Sequence, residues 1–441
     1  MANDSTYHPS VRAYAWKQFR AHKPAMASLY LLGFLLIVAL SAPILANDEP
    51  LFVRYHGHTM YPAFSGKKQY TIQLENGQKE IIQSDIAEWK RMSLEKVIWA
   101  PIPYAPDKTD RLNGGYKAPS DEQLFTDASG KVVPMPARFR HILGTNSLGE
   151  DVLSGLIHGT RISLFIGCIS MSIAALLGIL LGAAAGYFGD RGLVTSRGRF
   201  WTTIFGIIVG WFYGLQTRNY VITDALSGAE GNVLLELSIS LGILAACIFA
   251  FAFIGKWVGR LPFLRKEVHI PVDGLVSRCI EILHALPTFV LILTIAAITK
   301  PSLINVMVII GLTSWTGIAR LIRAEMLRIR GLEYIQAARS LGYGQWKIIA
   351  RHALPNAIAP ALVSIAFGIA SAILTESSLS FLGIGVPSDT VTWGSLVNDG
   401  RQQFNAWWLV VFPGVAIFMT VTMYNLIGEA LRDAFDPRQK K

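Results

Sequence analysis

The sequence predicts an all-α polytopic membrane protein carrying one small β-rich polar insert, on three observations. Charged residues make up only 16% of the 441-residue chain, against about 25% in soluble domains. Hydrophobic residues reach 52%. The apolar residues gather into eight uncharged runs, each near the ~20 residues needed to cross a hydrocarbon core.

In chain order these runs cover 25–46, 162–189, 200–217, 237–255, 282–299, 301–319, 352–375 and 402–428. The first follows a basic tail, but it exceeds the apolar core of about 7–15 residues in a signal peptide. It therefore reads as an uncleaved anchor. Lys and Arg set the orientation. The N-terminal tail, the segments 190–199, 256–281 and 320–351, and the tail after 428 together hold 23 of them, whereas 218–236, Lys300 and 376–401 hold three. Both termini are thus expected in the cytoplasm. The formal net charge of +10 is mainly this asymmetry, which argues against a nucleic-acid partner. Cys168, Cys247 and Cys279 lie in or beside apolar runs, far apart, and form no CxxC pair. They read as buried small apolar residues rather than a disulfide framework or zinc site.

Residues 47–140 form the polar insert, expected outside. Tyr70–Gln83 alternates about Asn76-Gly77, a hairpin-turn signal. The prolines of Val97–Tyr104 suit an edge or packed extended strand. His56 and His58 read as surface histidines rather than metal ligands. Residues 190–270 contain two of the runs and begin and end in basic segments, so this hairpin is an insertion that inverts nothing downstream. The expected divisions are a tail and first span (1–46), an extracytoplasmic insert with an interfacial segment (47–160), a transmembrane domain (161–432) and a tail (433–441).

The most informative segment is EYIQAARSLGYGQWKIIARHALPNA, Glu333 to Ala357. Ala337 and Ala338 let a helix approach another surface closely. Gly342 permits a sharp turn with positive φ. Trp346, Ile348 and Ile349 form an apolar stripe among Lys347 and Arg351, and Pro355 suits the start of the next span. Such an amphipathic helix–turn–helix fits either a docking element or a helix lying among lipid headgroups.

This segment resembles the signature loop of binding-protein-dependent ABC importer permeases: Glu-Ala-Ala, three residues, Gly, nine residues, Ile, one residue, Leu-Pro. Ala337, Ala338, Gly342, Leu354 and Pro355 stand at the required spacings, with Gln336 in place of Glu and His352 in place of Ile. Glu333-Tyr334 and Arg351-His352 resemble the peptide-importer branch. So do His141–Leu164, Glu376–Pro387, Trp393–Arg401 and Gly428–Arg438, although Asn146 and Glu150 stand where that branch usually has Asp and Arg. Ile44–Tyr55 is similar to a subgroup importing oligopeptides and peptide-like antibiotics. The hairpin 190–270 is not part of this pattern. The resemblance implies a type I ABC importer transmembrane fold, a six-span plan plus a two-helix insert, in a bacterial inner membrane. It also implies a second homologous permease, two cytoplasmic ATPases coupled through Glu333, Gln336, Ala337, Ala338, Gly342, Leu354 and Pro355, and an extracytoplasmic peptide-binding protein. Dipeptides, longer peptides, peptide antibiotics and nickel complexes all remain open as cargo.

The chain has no GxxxxGK[ST] phosphate loop; Gly66-Lys67-Lys68 lacks the following Ser or Thr. ATP hydrolysis is therefore expected in partner subunits, and no cofactor or metal is called for. Glu376, Ser377 and Trp315 are candidates for the path or gate, since an ionisable residue inside a membrane points to function. For Glu376 a structural role is equally open, and for Trp315 interhelical packing is. Glu281 and Glu429 fit solvated span ends. The absence of buried acid chains argues against a proton-coupled secondary transporter. No filter motif supports a channel, and no HExxH or nucleophile–base spacing supports a membrane enzyme.

Overall fold

A computed structural model of the chain describes residues 11–65, 69–73, 79–84, 87–92, 94–226 and 233–435. The Asn76-Gly77 turn, Gly66-Lys67-Lys68, Glu230 and the tail beyond Phe435, including Arg438, lie outside the described residues. Among the described residues six helices are long and apolar enough to cross a membrane, Lys23–Leu45, Val152–Phe188, Leu235–Val258, Leu303–Ile329, Ala359–Phe381 and Trp408–Phe435, and a bent helix pair makes up to seven if it counts as one span. The chain divides into two compact units. One comprises residues up to Cys168 with Ile369–Ala434; the other comprises Ile169–Gly368 with the residues from Phe435.

In the first unit, Lys23–Leu45 opens with His22, whose side chain accepts from the Ala25 N–H, and with proline in its first turn. The chain then becomes extended at Ala46, which bridges Ile102. Three short antiparallel pieces follow in the polar insert. Phe52–Tyr55 lies between His58–Met60 and Lys96–Ile98; Gln69–Gln73 pairs with Lys79–Gln83, and Leu124–Thr126 with Val132–Pro134. The expected hairpin over 70–83 is there, with Tyr70 opposite Ile82. So is the edge strand at Val97. A second tight turn, at His56 and Gly57 with φ of 45° and 73°, was not expected. Both histidines are exposed. Val53, Met60, Ile72, Ile82 and Trp89 form the insert's core, and Trp89 Nε1 donates to the Ser84 carbonyl at 3.1 Å. The insert is therefore folded, not a loop.

Val152–Phe188 has 37 residues, about 55 Å at 1.5 Å per residue. It starts ten residues before the uncharged run, because His158 and Arg161 sit within helix already formed. Its end in the second unit packs on Leu303–Ile329 through three glycines spaced by four. A Cβ at Gly178, Gly182 or Gly186 would come within 2.8 Å of Ile318, 2.5 Å of Ala319 O and 2.5 Å of Arg323 O, respectively. Such small-residue spacing is how helices approach without a hydrophobic drive.

Two expected spans differ from the sequence reading. The run 282–299 is not one helix: Val272–His284 and Thr288–Ile298 meet at 79°. Pro287 between them has no N–H for helical bonding and disfavours helical geometry at Leu286. The run 200–217 is the 15-residue helix Arg197–Trp211 continued by a π-helical turn, Phe212–Gln216. It packs along Val233–Val258, and the strands Val194–Ser196 and Glu267–His269 pair at the base of this hairpin.

Candidate functional site

The segment 333–355 lies wholly in the second unit. Glu333–Ser340 forms a helix. Gly342, at φ +78°, ends it in a Schellman arrangement: its N–H donates to Arg339 O and that of Tyr343 to Ala338 O. A Cβ at Gly342 would meet nothing within 4 Å, so only backbone geometry calls for glycine there. Gln345–Ile348, a π-helical turn over Ile349–Ala353 and Leu354–Ala357 complete the segment. Pro355 therefore stands in a short helix of its own, not at the start of the span Ala359–Phe381.

One face of the segment turns inward: Ile335 and Ile348 are fully buried, and Ala338 is 6% exposed. Ala337 points out, so only one of the paired alanines serves close packing. Glu333 and Gln336 are exposed, the latter donating to Gly331 O. On the outer face Leu341 is 74% and Trp346 71% exposed, with Tyr343 beside them. Lys347 Nζ sits 4.6 Å from the Tyr343 ring, which stacks on His352.

The segment is fastened to the end of Val152–Phe188. The Arg339 guanidinium lies over the Tyr187 ring at 5.1 Å and donates to its hydroxyl. Arg330 donates to Gly186 O at 3.4 Å, and Trp346 meets Phe188 edge to face. The sequence reading found the motif but not these fastening arginines.

Glu376 and Ser377 sit together in the first unit. The Glu376 carboxylate is fully buried and accepts from the Ser380 hydroxyl at 2.7 Å and weakly from Ser377 at 3.5 Å. Above it runs Trp393–Arg401, capped by Thr392 and Ser395 through a capping box. A Cβ at Gly394 would come 2.6 Å from Ser377 O. Trp315 belongs to the second unit, 7% exposed, with its carbonyl against Gly178. Glu281 is exposed and pairs with Arg278 at 2.6 Å.

A buried charge cluster that sequence reasoning missed precedes Val152–Phe188. His141 has no exposed side chain and lies 2.9 Å from Asp151 and 3.4 Å from Asp110. Burial alone would lower its pKa. Hydrogen bonds and charge from the two carboxylates outweigh burial and hold it above the ordinary histidine value. Nearby, Asn146 donates to both Glu150 and Asp399, and burial pushes both carboxyls up. Among the described residues no group of three or more His, Cys, Asp or Glu could hold a metal.

Comparison with known proteins accords with this geometry. The family described as "Binding-protein-dependent transport system inner membrane component" matches residues 238–441. The "N-terminal TM domain of oligopeptide transport permease C" matches residues 10–61. The inner membrane ABC transporter permease protein YejE of Escherichia coli is 27% identical over 96% of each chain. A peptidoglycan transport system permease protein of Agrobacterium fabrum is 27% identical over 96% of this chain and 92% of its own. A Brucella suis chain named for a peptide transport system is 30% identical over 69% of this chain and 76% of its own. The chain belongs to the binding-protein-dependent transport permeases, the multi-pass inner-membrane subunits of ABC importers. In that family ATP hydrolysis resides in a separate subunit.

Proposed function

We propose that this chain is one permease of an ATP-driven peptide importer, with both termini and residues 333–355 in the cytoplasm and residues 47–140 outside. The charge asymmetry of 23 against three supports that orientation. Peptide as cargo is supported by the relatives named for peptide and peptidoglycan transport. The chain pairs with a second, similar permease in the lipid bilayer, receives cargo from an extracytoplasmic binding protein and carries two cytoplasmic ATPases.

The observation that carries this reading is the segment 333–355: apolar side chains exposed on one side, arginine contacts to a spanning helix on the other. Glu333, Gln336, Ala337 and Gly342 shape the seat of an ATPase; Ala338, Leu354 and Pro355 hold it on the permease. Closure of the ATPases moves the seat, and Arg330 and Arg339 pass the displacement to Val152–Phe188. The importer then exchanges outward- and inward-facing states. Glu376, Ser377 and Trp315, buried here, face the path as it opens. The test is uptake of labelled peptides into proteoliposomes holding the chain with its partner permease, ATPases and binding protein. ATP-dependent uptake is expected. Uptake driven by a proton gradient without ATP would replace this reading with a secondary transporter.

A further inference from the structure

The polar insert holds an open-mouthed cavity of about 420 Å³, the size of a small-ligand pocket. Lys90 projects into it with its ammonium 3.4 Å from the centroid of the Tyr104 ring and 5.6 Å from that of Phe139. Most other charges of the cavity are answered within the protein, the exposed Arg111 being, with Lys90, a cation of the wall that has no ion pair among the described residues. Lys108 pairs with Asp48 at 3.3 Å, and Arg91 pairs with Glu88. Asp110 accepts from Asn113 and the Leu112 N–H and meets His141. Among the described residues the Lys90 ammonium has neither a hydrogen bond nor an ion pair. The ring faces attract its charge, but its three N–H groups still call for acceptors.

Burial lowers the Lys90 pKa to about 8, with Asp48, Asp110 and Asp151 pulling the other way. An anion in the cavity would satisfy the ammonium and restore its charged form. The wall narrows the class of anion. Leu112, Leu124 and Phe125 offer an apolar surface, which suits an organic body rather than a strongly hydrated inorganic ion. The carboxylates of Asp48, Glu88 and Asp110 in the same wall repel a dianion more than a monoanion.

We propose that this cavity is an accessory binding site for the C-terminal carboxylate of a short apolar peptide, held by Lys90 Nζ over the Tyr104 ring. The choice of a peptide as the carrier of that carboxylate rests on the import reading above; the site itself rests on the cavity and on the Lys90 ammonium held over the Tyr104 ring without an ion pair. In the proposed orientation the site faces the compartment from which cargo arrives.

The experiment is pulse acetylation of the intact importer in nanodiscs at pH 8, with acetylation of Lys90 read by mass spectrometry. Alanyl-phenylalanine should slow Lys90 acetylation about tenfold at saturation while exposed lysines such as Lys131 react unchanged. Alanyl-phenylalanine amide, which lacks the carboxylate, and inorganic phosphate should give no protection. Equal protection by the amide or by phosphate, or none by the dipeptide at millimolar concentration, overturns the proposal. Dipeptide uptake measured on the same preparation separates the two readings. Uptake without Lys90 protection sinks the site alone, whereas protection without uptake leaves the site and removes this dipeptide from the cargo proposed above.

Discussion

Two helix pairs among the described residues are each built on three glycines spaced by four, and they differ in what surrounds them. Gly178, Gly182 and Gly186 seat Val152–Phe188 against Leu303–Ile329, whose most apolar stretch is 56% buried. Gly206, Gly210 and Gly214 seat the insert's first helix against Phe251, Leu244 and Ser240 of its partner, a helix with only 6% of its apolar stretch buried. The same device therefore serves two ends. In the first pair it locks the helix that carries the 333–355 segment's arginine contacts. In the second it closes a hairpin on itself and leaves its other faces exposed. Small-residue spacing alone does not tell a working core from an addition; the burial of the opposite faces does.

The largest effect should come from breaking the first pair. Gly182→Leu forces side-chain atoms into the Ala319 backbone, and overpacking of this kind costs about 1–3 kcal/mol, occasionally more. Loss of a monodisperse permease and a marked fall in thermal midpoint are expected. Gly210→Leu in the hairpin meets Leu244 at 3.0 Å and should leave uptake close to wild type. Equal damage from both would erase the distinction between the pairs.

Next in size is Gly342→Val. A β-branched residue in the left-handed region costs roughly 1–2 kcal/mol, and the open space around the site leaves backbone strain as the whole cost. Uptake should fall severely with membrane insertion intact, and Gly342→Ala should fall less. Full uptake by the valine variant would show that the turn does not transmit motion.

A smaller effect is expected from pH at the entrance to Val152–Phe188. The folded-state pKa of His141 is raised, so its contribution is fully present below the unfolded value of about 6.5. That contribution is lost as pH rises through the folded value. The thermal midpoint should decline as pH rises above about 6.5, and His141→Gln should flatten the decline. An unchanged slope in that variant would remove His141 from the account.

The smallest effect belongs to removal of the hairpin. Ile270 N–H donates to Leu193 O at 2.9 Å, and Gly274 N–H to Asp190 at 2.8 Å, so the ends of the excised segment already lie together. Joining Leu193 to Ile270 through a short glycine linker should preserve the orientation of every later span and most of the uptake. Loss of assembly with the partner permease would make the hairpin part of the subunit interface.

Much of this was legible in the sequence, because uncharged length is a one-dimensional property. Lys23–Leu45 follows its run closely, Trp408–Phe435 is displaced from its run by six residues at the start and seven at the end, and Gly342 announces its turn through its identity. The bend at Pro287 was less legible: an uncharged run gives length but not straightness, although the proline itself was the signal. Which of Ala337 and Ala338 faces inward depends on the helix's phase against its neighbours. The fastening by Arg330 and Arg339, the clamp on His141 and the cavity at Lys90 join residues distant in sequence, and no local pattern marks them. The glycines of GILLGAAAG were visible as spacing, but their partners on Leu303–Ile329 were not.

The most direct test of the central claim is photo-crosslinking from two exposed apolar positions in the assembled importer. Leu341 lies on the outer face of 333–355, and Phe263, 88% exposed, lies near the hairpin's base. Both face the cytoplasm in the proposed orientation. A photoreactive residue at Leu341 should form an adduct with an ATPase subunit, more strongly when nucleotide closes the dimer, while one at Phe263 should not. An ATPase adduct at Phe263 with none at Leu341 would contradict the assignment of residues 333–355 as the coupling element.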